Sequence, residues 1–133
     1  MHIDRSSGYL LHPTSLPSPY GIGDLGDNAF RFVDFLVKAG QKLWQTLPLG
    51  PTGYGDSPYQ CFSAFAGTPL LISPDRLRDQ GFLTDDELAD PPEFDPHRVD
   101  YGRAIDYKHS LLKKAFARWK QDQAGLSAEY EDF

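Results

Sequence analysis

The sequence predicts an α/β fold, because two strand patterns flank one helix pattern and the links between them are short. The apolar run Gly8–His12 is closed by Pro13, which is typical of a buried strand that ends at a residue unable to donate a ladder hydrogen bond. Apolar residues then recur at helical spacing over Asn28–Ala39, and Lys42–Leu49 alternates like a strand. A strand, a helix and a strand in this order predict a parallel pair joined by a right-handed crossover.

The first predicted helix has sequence signals at both of its ends. Asp27 stands at the position expected for a helix N-cap, and Gly40 stands where a helix would stop. Between them the apolar spacing predicts one amphipathic helix, through Phe32, Val33, Leu36 and Val37.

The second half of the chain is predicted to be mostly helical. Pro74–Gln80 is typical of a short helix with proline in its first turn. Thr84, followed three residues later by Glu87, forms a capping-box pattern for another short helix, and Ser127 is a possible cap in the tail. The longest predicted helix is Arg103–Gln121, whose apolar stripe consists of Ala104, Tyr107, Leu111, Ala115, Phe116 and Trp119.

The net charge, the cysteine count and the absence of long apolar runs limit the binding partners and the cellular location that we expect for this chain. Among 133 residues there are 13 basic and 19 acidic side chains, a net charge of −6 that argues against nucleic acid and anionic membranes as partners. Cys61 is the single cysteine, so no internal disulfide can form and a cytoplasmic location is expected. No apolar run approaches the ~20 residues of a membrane span, and the first residues lack the pattern of a signal peptide. No cofactor motif or metal-ligand set is predicted, since the acidic residues Asp85–Glu87 suit the first turn of a helix.

The loop Leu47–Gly67 is rich in glycine, proline and aromatic residues. Its flat apolar faces come from Tyr54, Tyr59, Phe62 and Phe65, and its interleaved polar groups from Asp56, Ser57 and Gln60. A pyranose ring has an apolar face that packs on an aromatic ring and a rim of hydroxyls that require hydrogen bonds. The loop therefore suits a sugar ligand, although the same composition also fits a plain connection whose aromatics fold back onto the core.

Three quoted segments carry a resemblance that covers essentially the whole chain. The chain resembles the amino-terminal part of the 4-α-glucanotransferases, also called amylomaltases or disproportionating enzymes. The segments that carry the resemblance are SGYLLHPTSLPSPYGIGDLG, LWQTLPLGPTGYGDSPYQCFSAFAGTPLLIS and VDY before a long helix. The resemblance implies a (β/α)₈ TIM barrel with Gly8–Pro13 as strand one, Asn28–Ala39 as helix one and Lys42–Leu49 as strand two. Residues 1–67 would form the first βαβ unit with a substrate loop, and residues 68–133 a mostly helical insertion.

The same resemblance implies an activity and a set of binding residues. Family members transfer α-1,4-glucan segments between maltodextrins with retention, using carboxylates on later barrel strands, so this chain is expected to be a fragment without the catalytic residues. Tyr59 matches a tyrosine that stacks beneath the sugar at the cleavage subsite, and Asp56 and Ser57 lie in the same loop. Tyr54 and Tyr101 match tyrosines of a second glucan groove away from the reaction centre.

Other interpretations of these residues remain open. The chain could be a non-catalytic α-glucan-binding module, or its aromatic loop could be an interface for other barrel segments or for a second copy. His12 follows strand one, where function concentrates in a barrel, but a lone histidine is more often a hydrogen-bonded structural residue. Asp24 could line the same mouth, and its more ordinary role is to fix the turn around it.

Overall fold

The computed structural model describes residues 5–61, 63 and 65–121. Phe62 of the aromatic loop and the possible cap Ser127 therefore lie outside the described residues. In chain order the strands and helices are β1 (Gly8–Leu10), α1 (Asp27–Lys38), β2 (Leu43–Gln45), α2 (Pro74–Asp79), α3 (Asp85–Leu88) and α4 (Tyr101–Gln121). Short 3₁₀ turns occur at Pro13–Ser15, Tyr54–Asp56, Pro58–Gln60 and Pro69–Leu71.

β1 and β2 form a parallel pair, which confirms the predicted pairing. The register places Gly8 opposite Leu43, where the backbones approach so closely that a Cβ atom at Gly8 would lie 2.3 Å from the Leu43 carbonyl oxygen. Both strands are shorter than predicted, because the pairing runs for three residues on each strand. Beyond it the Leu11 N–H still donates to the Gln45 carbonyl at 3.0 Å, and the chain then turns at Pro13.

α1 begins one residue earlier than predicted, and the expected cap at Asp27 is wrong. Asp27 is the first helical residue, and Gly26 occupies the N-cap position without a side-chain hydrogen bond. A Cβ atom at Gly26 would lie 2.5 Å from Ser73 Oγ, so the close packing of this corner requires glycine there. The acidic side chain still lies in the first turn, where the helix dipole favours it.

The end of α1 follows the sequence prediction. Gly40 has a left-handed backbone with φ of +69°, and its N–H donates to the Val37 carbonyl at 3.0 Å. The Gln41 N–H donates to the Leu36 carbonyl at 2.9 Å, completing a Schellman motif. Of the predicted apolar residues Leu36 is buried, whereas Val37 is 69% exposed in the described structure.

The three carboxy-terminal helices agree to within two residues at each end with the predicted helices Pro74–Gln80, Thr84–Ala89 and Arg103–Gln121. Ser73 caps α2 through its hydroxyl, and the predicted capping box between Thr84 and Glu87 is present at α3. α4 starts at Tyr101, and Asp100 caps it by accepting a hydrogen bond from the Arg103 N–H at 3.1 Å. Tyr101 is thus the first residue of the helix and not part of the preceding loop.

Two apolar clusters pack along α4 and form the core. One consists of Ile22, Leu70 and Ala104, and the other of Tyr20, Leu83, Leu88, Leu111 and Ala115. By contrast, exposed apolar side chains are concentrated on β1, α1 and β2, among them Tyr9, Leu10, Phe30, Val33, Phe35, Val37 and Leu43. Among the described residues, no helix is both long and apolar enough to cross a membrane.

Candidate functional site

The His12 side chain, just after β1, forms a hydrogen bond with the segment that follows β2. Its Nε2 lies 3.2 Å from the Pro48 carbonyl oxygen, which can only accept, so this nitrogen carries the proton. Nδ1 then accepts from the Thr14 hydroxyl at 2.7 Å and caps the turn Pro13–Ser15. The hydrogen-bonded structural role considered for His12 is confirmed.

A small cavity of about 160 Å³ lies beside this histidine, past the carboxyl ends of both strands. Its wall includes His12, Thr14, Pro58, Thr68, Leu70 and Tyr101. The cavity therefore collects residues from the loop after β1, from the aromatic loop after β2 and from the start of α4.

A larger cleft of about 560 Å³ lies against the same tyrosine. Asp56 and Tyr101 both line it, together with Phe94, Arg98, Asp100 and Arg103. Tyr101 contributes to the walls of both the cavity and the cleft. The resemblance placed Asp56 in the same loop as Tyr59 and assigned Tyr101 to a second groove, and both Asp56 and Tyr101 line this one cleft.

Asp56 has an unusual backbone for a residue other than glycine, with φ of +55°. Asp and Asn tolerate this left-handed region better than most side chains. Within the described part of the chain its carboxylate has no hydrogen-bond partner, so it does not make the Asx-type turn considered as its structural role. The carboxylate is exposed and free to accept hydrogen bonds from a ligand in the cleft.

Tyr59 lies in the next turn of the loop and is 73% exposed. The turn is closed by a hydrogen bond from the Gln60 N–H to the carbonyl of half-buried Ser57 at 3.1 Å. The alternative interpretation of the loop required the tyrosine ring to fold back onto the core, and the exposure of Tyr59 contradicts this. Tyr54 begins the preceding turn, Tyr54–Asp56.

Asp24 fixes its own turn, as predicted, and also has a second partner that sequence reasoning missed. Its Oδ1 accepts from the Gly26 N–H at 2.9 Å, and its Oδ2 accepts from Lys108 Nζ at 2.9 Å. Lys108 lies in α4 with 0% of its surface exposed. Burial lowers the pKa of Lys108, and the neighbouring Asp24 carboxylate opposes that shift. Lys108 lies at helical spacing from the buried residues Ala104 and Leu111, but this spacing alone does not predict that a lysine is buried.

Among the described residues, no group of three His, Cys, Asp or Glu side chains could hold a metal ion. The residues that line the cleft include aromatic, carboxylate and guanidinium side chains.

Comparison with known proteins identifies the family. A family model described as 4-alpha-glucanotransferase matches residues 11–133. The chain belongs to the 4-alpha-glucanotransferase family. A 4-alpha-glucanotransferase of Synechocystis sp. is 55% identical over 130 residues, a match that covers 97% of this chain and 26% of that protein. A 4-alpha-glucanotransferase of Thermus thermophilus is 54% identical over 121 residues, covering 91% of this chain and 23% of that protein.

A solved structure of the same kind supports the fold of this 4-alpha-glucanotransferase family member. The amylomaltase from Streptococcus agalactiae, in complex with acarbose, matches with a TM-score of 0.84 at 42% identity and covers 97% of this chain. The match takes in 25% of that amylomaltase. The chain thus spans about a quarter of the length of the relatives it matches.

Proposed function

We propose that this chain is the amino-terminal, sugar-recognising part of a 4-α-glucanotransferase that transfers α-1,4-glucan segments between maltodextrins with retention. The observation that carries the proposal is the cleft lined by Asp56 and Tyr101, with the exposed ring of Tyr59 in the adjacent turn. Family membership supports the proposed reaction class, and the cleft supports a part for this segment in substrate recognition.

The chemistry of the cleft suits a neutral polyhydroxylated chain. The Tyr59 ring is available to stack on the apolar face of a glucose unit. The Asp56 carboxylate can accept from sugar hydroxyls, and the guanidinium groups of Arg98 and Arg103 can donate to them. A stacked ring contributes about 0.5–1.5 kcal/mol beyond area burial, by analogy with aromatic pairs, so tight binding requires several sugar subsites.

We infer that β1, α1 and β2 form the first βαβ unit of a (β/α)₈ barrel. The parallel pairing supports this, and so do the exposed apolar side chains on both strands and on α1, which a continuing barrel would cover. Such a barrel typically takes ~250 residues, more than this chain contains. On this view residues 1–67 carry the substrate loop, and residues 68–133 are a mostly helical insertion after the second strand.

The catalytic carboxylates are assigned outside this chain. A retaining enzyme needs two carboxyl groups roughly 5–5.5 Å apart, one as nucleophile and the other as acid and base. By family resemblance those residues stand on later barrel strands, so we assign no catalytic residue, metal or cofactor to residues 1–133. A cytoplasmic location fits the single cysteine.

Incubation of the full-length protein that contains this segment with maltotriose tests the proposal. Disproportionation predicts glucose together with maltopentaose and longer maltodextrins, and retention predicts new linkages that are α by proton NMR. Formation of glucose and maltose without longer products would identify a hydrolase and contradict the proposed transfer. No turnover of any maltodextrin would contradict the proposal as a whole.

A further inference from the structure

Lys108 is a fully buried cation, and its position calls for a reason other than stability. Its Nζ donates to Asp24 Oδ2 at 2.9 Å and to the Leu70 carbonyl at 2.7 Å. Taking an ammonium group out of water is costly, and an apolar side chain of similar size often serves stability equally well. A buried ion pair differs from an apolar contact in that its hydrogen bonds form only at particular distances and angles, so it constrains the relative positions of the segments that it joins.

The hydrogen bonds of Lys108 join three segments that are far apart in sequence. The Asp24 turn and α4 are separated by 84 positions, and the turn Pro69–Leu71 and α4 by 38. The Asp24 turn is also bonded to the Pro69–Leu71 turn, since the Leu25 N–H donates to the Leu71 carbonyl at 2.9 Å. The three segments are therefore linked in a closed set of directional contacts.

Tyr101 lies on nearly the same face of α4 as Lys108. They are seven positions apart, which is almost two full turns, or about 10 Å along the helix axis. Fully buried Ala104 lies between them, and it belongs with Ile22 and Leu70 to the cluster against which Tyr101 packs.

The apolar clusters resist a slip of α4, and the hydrogen bonds of Lys108 add contacts that are more directional. A slip of one residue along the axis would move Tyr101 by about 1.5 Å and rotate it by about 100°. The two hydrogen bonds of Lys108 are lost on such a slip, because their acceptors belong to the two turns and not to the helix.

We propose that Lys108 is a positioning residue for glucan recognition, which holds Tyr101 in register where it lines both the cavity and the cleft. The contact acts through α4, and Lys108 itself does not touch the sugar. This inference rests on the proposed function, because it gives Tyr101 a glucan to bind.

The test uses the full-length protein that contains this segment and three variants. Lys108→Met removes the cation and leaves the Asp24 carboxylate buried without its partner. The double variant Asp24→Asn, Lys108→Met removes both charges at nearly constant volume, which relieves that penalty. Leu111→Ala is the matched control, because it opens a cavity in the other apolar cluster of the same helix and leaves the Lys108 hydrogen bonds in place.

The measurements are the melting temperature and the apparent affinities for maltotriose and maltoheptaose. The affinities are taken from initial-rate kinetics on each sugar well below every melting temperature, because the active protein would convert both sugars during an equilibrium titration. We expect Lys108→Met to melt lowest and the double variant to recover stability. The double variant should nevertheless bind maltoheptaose about two- to tenfold more weakly relative to maltotriose, the loss expected for one displaced aromatic contact. Leu111→Ala should lower the melting temperature and keep the wild-type ratio of the two affinities.

Two results would overturn the inference, and they differ in scope. A double variant with the wild-type ratio of affinities would show that Lys108 does not position Tyr101 and would leave the proposed function intact. Failure of the unaltered protein to bind either maltodextrin would overturn the proposed function and this inference together.

Discussion

Arg118 of α4 binds both carboxylate oxygens of Glu87 in α3. Its Nη1 donates to Oε2 at 2.6 Å and its Nη2 donates to Oε1 at 3.0 Å. Glu87 Oε2 also accepts from the Thr84 N–H at 3.0 Å in the capping box. One carboxylate therefore stabilises the beginning of α3 and joins it to the end of α4.

This arrangement predicts a pH-dependent contribution to stability. The hydrogen bonds from Arg118, followed by the one from the Thr84 backbone, lower the pKa of Glu87 from its ordinary value of 4.5 to about 2. Since the pKa is lower in the folded state, the contribution is complete above about 4.5 and is lost as pH falls towards 2. In the full-length protein, the melting temperature of Glu87→Gln should lie below wild type at pH 6, and the gap should narrow between pH 4.5 and pH 2.

Asp86→Asn is the control for that series. Asp86 is an exposed carboxylate in the same helical turn, and in the described structure it has neither an ion pair nor a side-chain hydrogen bond. The gap between Glu87→Gln and wild type should change more over this pH range than the gap between Asp86→Asn and wild type. A gap between Glu87→Gln and wild type that does not change with pH would contradict the assignment of the low pKa to Glu87.

Local signals in the sequence predicted the parts of the fold that local interactions determine. The capping box of Thr84 and Glu87 and the glycine stop at Gly40 were both correct, since each depends on residues within a few positions. The strand ends were not predictable in this way. Whether a residue belongs to a strand depends on a ladder partner, and alternation over Lys42–Leu49 does not reveal how far that partner extends.

In the candidate site, too, features that depend on contacts between distant residues could not be predicted from the sequence. The exposure of Tyr59 agrees with the ligand-facing interpretation of its loop, whereas composition alone also allowed its ring to pack on the core. The meeting of Asp56 and Tyr101 in one cleft depends on how α4 packs, and that packing involves Lys108 and a carboxylate 84 positions away. A lysine in an amphipathic pattern is ordinarily solvent-exposed, so its burial could not be inferred from spacing.

Residues 1–133 expressed on their own are predicted to be aggregation-prone or molten. β1 and β2 expose apolar side chains and unpaired edges, and α1 adds Phe30 and Val37 to the same uncovered surface. Calorimetry and size-exclusion chromatography of this segment should give no sharp transition and no single monomeric species. A monodisperse monomer with one cooperative transition would contradict the prediction.

The same isolated segment is predicted to be inactive on maltotriose. By family resemblance the nucleophile and the acid/base carboxylate lie on barrel strands beyond this segment, so the two-step displacement cannot occur. Chromatography of the products should show unchanged substrate. Transfer activity that copurifies with the segment through several columns would mean that the catalytic carboxylates are within these residues.

The roles of the tyrosines predict a separation between chemistry and long-chain binding in the full-length protein. Tyr59 is assigned to the sugar at the reaction centre, where stacking can strengthen as the ring flattens towards an oxocarbenium-like transition state. Tyr59→Ala should therefore lower turnover as well as binding. Tyr54→Ala and Tyr101→Ala should mainly change the size of the cyclic products made from amylose, because the family resemblance assigns these two tyrosines to contacts with a long glucan away from the reaction centre.

Steady-state kinetics of Tyr59→Ala on maltotriose, measured beside its melting curve, test the central assignment most directly. We predict that kcat falls while the melting temperature stays close to that of wild type, because the ring is exposed and its removal leaves no cavity in the core. Tyr101→Ala in the same assay gives the comparison, with maltotriose turnover near wild type. Equal loss of turnover in the two variants, or a Tyr59→Ala protein that fails to fold, would contradict the assignment.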